Sequence, residues 1–260
     1  MIPAAQITNW RARAPWANDD DVEQDLLISR AIVELFNNPF LHKRLAFRGG
    51  TALHKLLLPP TRYSEDIDLV FLRSERIGPV FDEIRKALAW FDKPPRSEIG
   101  MFPKLYFKFT TTSGATRRIK IEVATREGFS AARTIEVPYK INSTYFSGEA
   151  SVRTYALEEL LATKLRAHYQ RAKGRDLYDL WDAARQRTVD FAAVYALFLE
   201  YWANTGLKAV TRRDLRKDMA EKHKAGIFPQ VIPLLVPGNA YDPATAEAWF
   251  DATIVPFFPL

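Results

Sequence analysis

The chain of 260 residues has no cysteine, which excludes disulfide frameworks, thiolate zinc sites and cysteine nucleophiles together. No run approaches the 18 apolar residues that a membrane span needs, so no contact with a membrane is expected. The start, MIPAAQITNWRARAPWANDD, lacks the apolar core of a signal peptide. Together with the missing cysteines this gives the expectation of a cytoplasmic protein. The four histidines, His42, His54, His168 and His223, share no metal-ligand spacing, and the GxxxxGK[ST] pattern of P-loop NTPases is absent. No Ser/His/Asp ordering stands out, and no segment is of low complexity.

What is present is the composition of a folded protein, 47% apolar and 13% aromatic, long enough for one large domain or two small ones. The net charge of +6 favours an anionic partner, nucleic acid being the usual one, although ordinary soluble proteins also carry such a balance. Residues 1–18 show no period and read as an irregular arm. Asp19, Asp20 and Asp21 then open a helix, as the helix dipole prefers, and Asn37-Asn38-Pro39 ends it. Leu45-Ala46-Phe47 reads as a short strand. Ile77-Gly78-Pro79 opens a helix through about Trp90, Lys93-Pro94-Pro95-Arg96 is a loop, and LYFKFTTT and RRIKIEVAT read as strands joined at Ser113-Gly114. A third β-like piece, Thr134 to Val137, precedes Pro138. This alternation predicts a mixed α/β (α+β) sheet domain over about residues 1–150. From Ala156 the period becomes helical, predicting a helical half over 151–260. Within it, 208–224 is a basic helix whose cations either hold RNA phosphates or form a solvated face. The tail from Ile227, with prolines at 229, 233, 237, 243 and 256, is expected to wrap over the surface or a partner.

The densest chemistry lies in FRGGTALHKLLLPPTRYSEDIDLVF, residues 47–71. The Gly49-Gly50-Thr51 turn opens a short helix, where free N–H groups can cradle an anion and the Thr51 hydroxyl can donate to it. Lys55, one helical turn on, either reaches the same anion or sits on an exposed face. In Asp66-Ile67-Asp68-Leu69 the alternation of a strand puts both carboxylates on one face. Two like charges so close favour a cation between them, and Mg²⁺ (or Mn²⁺) is the hard-ligand solution, completed by substrate phosphates. Glu122, alternating in the same way in IKIEV, is the candidate third carboxylate of a two-metal phosphoryl-transfer site. Each of these carboxylates has a plainer reading as a solvated residue on an outer strand face. Glu65 alternates away and is not expected to bind metal.

Gly-Gly, then Asp-x-Asp, then a distal acidic residue resembles the nucleotidyltransferase superfamily with a DNA polymerase β-like core. GGTALHK followed by RYSEDIDL looks more narrowly like the AbiEii toxin family, which includes the MenA-type toxins of type IV toxin–antitoxin systems. A second block, Lys164-Leu165-Arg166 and then Gly174-Arg175-Asp176-Leu177-Tyr178-Asp179-Leu180, is similar to that family's later motifs. The resemblance covers about residues 45–182, and Glu122 departs from it, since Asp is frequent at that place.

The resemblance implies a polymerase β-like core with a mixed sheet, completed by a helical C-terminal half. It implies a Mg²⁺-dependent nucleotidyltransferase with Asp66, Asp68, Lys164 and Asp176 as catalytic residues and Asp66, Asp68 and Glu122 as metal ligands. Gly49, Gly50, Thr51, Lys55, Lys164 and Arg175 would bind an NTP. The acceptor implied is the 3′ end of a tRNA, and the role that of a toxin restrained by a cognate antitoxin. Alternatives are a protein hydroxyl as acceptor, a catalytically inert NTP- or RNA-binding module, or, for Lys164 and Asp176, an interhelical salt bridge.

Overall fold

A helix forms at the very start of the described chain, where the sequence shows no period. The computed structural model describes residues 2–125 and 130–260, and α1 spans Ala4–Trp10. The irregular arm expected for residues 1–18 is corrected here, Met1 lying outside the described residues. Tertiary contact fixes this helix. Ile7 and Trp10 are buried, and the Trp10 and Trp16 indoles both donate to Asp25, at 2.8 and 3.1 Å.

The chain forms two units, Met1–Tyr155 and Ala156–Leu260. In the first, α2 (Asp19–Asn37) carries its three aspartates in the first turn. Asn38 accepts from the backbone of Phe40 and Leu41 and so starts α3 (Pro39–His42). Then come β1 (Leu45–Arg48), α4 (Gly49–Ala52), β2 (Asp66–Phe71), α5 (Ile77–Ala87), β3 (Arg96–Glu98), β4 (Lys104–Thr110), β5 (Thr116–Ala124), β6 (Ile135–Asn142) and β7 (Ser147–Thr154). The helix begun by α4 widens over Leu53–Leu57, closing with Leu58 N–H to Leu53 O at 2.9 Å.

All seven strands form one mixed sheet, in the order β3-β4-β5-β2-β1-β7-β6. β2 runs parallel to β5 and β1 parallel to β7, while the other neighbours are antiparallel. Ile67, Leu69, Leu105, Phe107, Ile119, Ile121 and Val123 alternate onto one buried face. Three local readings need correction. α5 ends at Ala87, Arg96 already belongs to β3, and β6 runs through Pro138. Pro138 is tolerated because β6 is an edge strand. β7, SGEASVRT, was not foreseen, its alternation resting only on the small residues Ala150, Val152 and Thr154.

The second unit is helical: α6 (Leu157–Gln170), α7 (Gly174–Gln186), α8 (Phe191–Ala203), α9 (Arg212–Lys224) and α10 (Pro243–Thr253), with 3₁₀ turns at Phe228–Leu234 and Val255–Phe257. Asp190 and Asp242 cap α8 and α10, and Thr211 with Asp214 forms a capping box on α9. Gly174 lets the tail approach. A Cβ there would collide with the carbonyl of Ile227 and lie 2.8 Å from that of Phe228. The proline-rich tail is therefore core and not a wrapping. Phe228, Val231, Phe250, Ile254, Val255 and Phe258 are all buried.

His168 sits inside this core, its Nε2 3.1 Å from Met219 Sδ, with the ring beside Phe228 and Phe250. Burial, with Lys222 nearby, lowers its pKa from 6.5 to about 3. Between those values the unfolded chain binds a proton that the folded chain refuses, so stability falls as pH drops below 6.5. The slope approaches about 1.4 kcal/mol per pH unit. Thermal unfolding midpoints measured from pH 7 to pH 5 should fall more steeply for the parent than for His168→Leu. Parallel profiles would refute this assignment.

Candidate active site

The site in the first unit grows from the junction of β1, α4 and β2. Arg48 ends β1 opposite Asp68 in the antiparallel register. Gly49 follows with φ +82°, in the left-handed region, and a Cβ on it would collide with Asp68 Oδ2. Backbone and carboxylate are thus in direct apposition, which only glycine permits. Gly50 makes a similar approach to the buried Arg62, whose Nη1 donates to the Tyr63 carbonyl at 3.0 Å. The Thr51 hydroxyl is buried, 2.8 Å from Ser64 Oγ, and donates to the Asp66 carbonyl at 2.5 Å. Thr51 therefore locks the diglycine turn to the start of the carboxylate strand.

The parallel pairing of β2 with β5 sets Asp66 against Lys120 and Asp68 against Glu122. The next pairing sets Glu122 against Lys104, Lys120 against Tyr106 and Arg118 against Lys108. All these side chains share the sheet face opposite the apolar one. Lys120 Nζ lies 3.0 Å from Asp66 Oδ2 and 3.5 Å from Glu122 Oε2, and Lys104 Nζ is 3.8 Å from Glu122. Burial, then the charge of Asp66, pushes the Asp68 carboxyl above its ordinary pKa; Glu122 adds to this, while Lys120 and Arg48 oppose it. Lys120 is itself held charged by Asp66, Asp68 and Glu122 against the effect of burial. A cleft of about 400 Å³ opens beside Asp66, lined by Gln24, Glu65, Arg117, Arg118 and Lys120.

Asp66, Asp68 and Glu122 supply oxygen ligands of the kind a divalent cation takes, and Asp66 and Asp68 lie close enough on one strand face for a cation between them to relieve their repulsion. That donor set, a pair of aspartates with a neighbouring glutamate, fits a hard divalent cation. Among the described residues, no group of three or more carboxylates or histidines is gathered as a ready metal cluster. Lys120, between Asp66 and Glu122, was not singled out from the sequence. Its signal was there, two residues before Glu122 in the same alternation.

Lys55 is engaged by α2. Its Nζ donates to Asp25 Oδ2 at 2.9 Å and to Ser29 Oγ at 3.0 Å, and that carboxylate keeps the ammonium charged despite burial. The structure therefore gives Lys55 a tie between the turn's helix and α2. A cavity of about 220 Å³ lies there, lined by Trp10, Trp16, Asp25, Lys55 and Tyr139 and also by Thr51, Arg62 and Ser64, so Lys55 and the turn border the same space.

In the second unit, Lys164 on α6 lies 2.8 Å from Asp179 Oδ2 and 3.3 Å from Asp176 Oδ1, both on α7. Arg171 grips Asp176 with two bonds, at 2.7 and 2.8 Å. Burial alone would raise the Asp176 pKa, but Lys164 and Arg171 outweigh it and hold the carboxyl at about 2. Lys164, Asp176 and Asp179 are all buried, and Arg175 lies half-buried beside Asp176.

A mixed sheet carrying Asp-x-Asp on the strand after a diglycine turn, with an acidic residue on the neighbouring parallel strand, defines a nucleotidyltransferase. The family model described as nucleotidyl transferase AbiEii toxin, type IV TA system, matches residues 30–249. The chain belongs to that family of nucleotidyltransferase toxins. Among solved structures it is similar to MenT4, a nucleotidyltransferase toxin from Mycobacterium tuberculosis H37Rv. The match has a TM-score of 0.71 at 20% identity and covers 99% of this chain and 90% of that one. An antigenic nucleotidyltransferase-like protein from Paracoccidioides brasiliensis aligns with a TM-score of 0.39 at 16% identity, over 81% of this chain and 97% of that one. Comparison with curated proteins returns no match.

Two outcomes follow from this geometry. Gly49→Ala must strain a left-handed backbone, costing about 1–3 kcal/mol, and push against Asp68. Nucleotidyl transfer should fall at least tenfold while circular dichroism stays native, and unchanged transfer would refute the apposition. Asp176→Ala strips Lys164 and Arg171 of a shared buried partner and should destabilise the second unit by about 3 kcal/mol, read as a lowered urea midpoint.

Proposed function

We propose that this chain transfers NMP from an NTP to the 3′-terminal hydroxyl of a tRNA in the presence of Mg²⁺, acting in the cytoplasm as a toxin that a cognate antitoxin restrains. The observation that supports this most is the single sheet face on which Asp66, Asp68 and Glu122 lie beside the backbone of Gly49. Asp66 and Asp68, joined by Glu122, would hold the metal. Bound there, Mg²⁺ supplies charge neutralisation for the phosphates and for the attacking and leaving oxygens.

Gly49 and Gly50, having no side chains, let Asp68 and Arg62 close against the turn, whose N–H groups would meet the phosphates. Thr51 keeps the turn in register with β2 through its bond to the Asp66 carbonyl. Lys120, which in this structure balances Asp66 and Glu122, would lie beside a phosphate held at those carboxylates. The acceptor hydroxyl oxygen forms a bond to the α-phosphorus, and the bond from that phosphorus to the β-phosphate oxygen breaks. Pyrophosphate leaves with the electron pair, and the hydroxyl proton passes to solvent. On the family motif, Lys164 and Arg175 are proposed to meet nucleotide phosphate, with Asp176 orienting Lys164 as it does in the 3.3 Å pair.

The decisive experiment incubates the protein with each labelled NTP, Mg²⁺ and total tRNA, beside Asp68→Ala. Label on tRNA that disappears in the variant is the expected result. Label on protein instead would move the acceptor to a protein hydroxyl, and no transfer with any NTP or metal would sink the reading.

A further inference from the structure

The face that carries Asp66 and Asp68 continues across β5 and β4 as a strip of cations. We propose that this strip, from Asp66 across Lys120 and Arg118 to Lys108, is the track that holds the phosphates of a single-stranded RNA on the way to its reacting end. It rests on the reading that the acceptor is RNA, and adds where that RNA lies.

The strongest observation is a pairing that a sheet ordinarily avoids. Lys108 and Arg118 stand directly opposite each other on an antiparallel pair, and both are exposed. Like charges so placed destabilise a sheet, and an anion between them reverses the sign of that contribution. Lys120 continues the row two residues nearer the carboxylates, roughly 7 Å along the strand, a step comparable with that between successive phosphates of an extended strand. Arg118, Lys120 and Asp66 line one cleft of about 400 Å³ together with Glu65, so the row ends at the first of the two strand aspartates.

An aromatic ring completes the arrangement. Tyr106 faces Lys120 in the register, and the Arg118 guanidinium lies 4.9 Å from the centre of its ring. A cationic groove with an aromatic platform is how single strands are held without reading their sequence. The side of approach also agrees. The attacking and leaving oxygens of phosphoryl transfer lie roughly in line. With the leaving phosphates at Gly49 on the β1 side of β2, the attacking strand comes from the β5 side.

The other basic stretch, on α9, is built differently. Arg212 donates to the carbonyls of Phe258 and Pro256, Arg216 pairs with Asp251, and Lys222 pairs with Asp218 and donates to the His168 carbonyl. Arg212 and Arg216 tie α9 to the tail, and Lys222 ties it to α6.

The test measures binding apart from transfer. A fluorescent single-stranded RNA is titrated at several salt concentrations with the parent, with Lys108→Gln/Arg118→Gln, with Asp68→Ala, and with Arg213→Gln/Lys217→Gln on α9. The first double variant should bind at least tenfold more weakly, with a salt slope shallower by about 1.4, since each lost phosphate contact on a single strand removes about 0.7. Asp68→Ala and the α9 variant should keep the parent's slope. If the parent labels tRNA while Lys108→Gln/Arg118→Gln keeps its affinity and slope, the track is overturned and the function stands. If the parent neither binds nor labels RNA, the function falls and the track with it. Both substituted residues are exposed, and unchanged circular dichroism with unchanged NTP binding distinguishes a lost track from a lost fold.

Discussion

The parallel register of β2 on β5 is the constraint on which the site depends. It brings Asp68 level with Glu122 and Asp66 level with Lys120. The charges themselves do not hold that register, because the carboxylates repel one another. The opposite face holds it, through Ile67, Leu69, Ile121 and Val123, all essentially without exposure. Burying each is worth about 1.5–3 kcal/mol, so the four together outweigh a carboxylate repulsion of about 1–4 kcal/mol near the surface. A slip of one residue would turn the apolar set to solvent and the carboxylates into the core. The core thus fixes the geometry that the chemistry needs.

Lys120 belongs to the same logic. A partly exposed ion pair is worth about 0–1 kcal/mol, enough to keep Asp66 and Glu122 in place and little enough to yield to a divalent cation and a triphosphate. Its neighbours place further limits. Gly49 presses its backbone on Asp68 from the β1 side, and Thr51 fixes the carbonyl of Asp66. The carboxylate pair is therefore held from behind by packing, from one side by a turn and from the other by a displaceable cation.

Local pattern made part of this legible. The alternation in DIDLVF placed both aspartates on one face, and IKIEV placed Glu122 likewise, because a strand's period is written in consecutive residues. The mixed sheet and the helical second half followed from the same periods. What the sequence could not show was partnership at a distance. Lys55 is one turn from Thr51 in sequence, yet it answers to Asp25 on α2, which also takes both Trp10 and Trp16. α1 exists because of that contact and not because of its own period. β7 carries only a weak alternation, Ala150, Val152 and Thr154, and is set by its neighbours β1 and β6. The tail's prolines suggested a surface strap, but Asp242 caps a helix there and Phe250 and Phe258 enter the core.

Charge shows the same division between composition and placement. A net charge of +6 points to an anionic partner but not to a surface. By count, α9 is the more obvious candidate, since its cations are adjacent in sequence. Three of them have carboxylate or carbonyl partners within the second unit, so their work is to hold α9 to the tail and to α6. The cations of β4 and β5 are fewer, and the sheet brings Lys104 and Lys108 alongside the Arg117-Arg118-Ile119-Lys120 run of β5. There Arg118 meets Lys108 with no carboxylate opposite it in the register. Two cations facing each other in the register, one of them resting on the Tyr106 ring, are what the proposed RNA track would use.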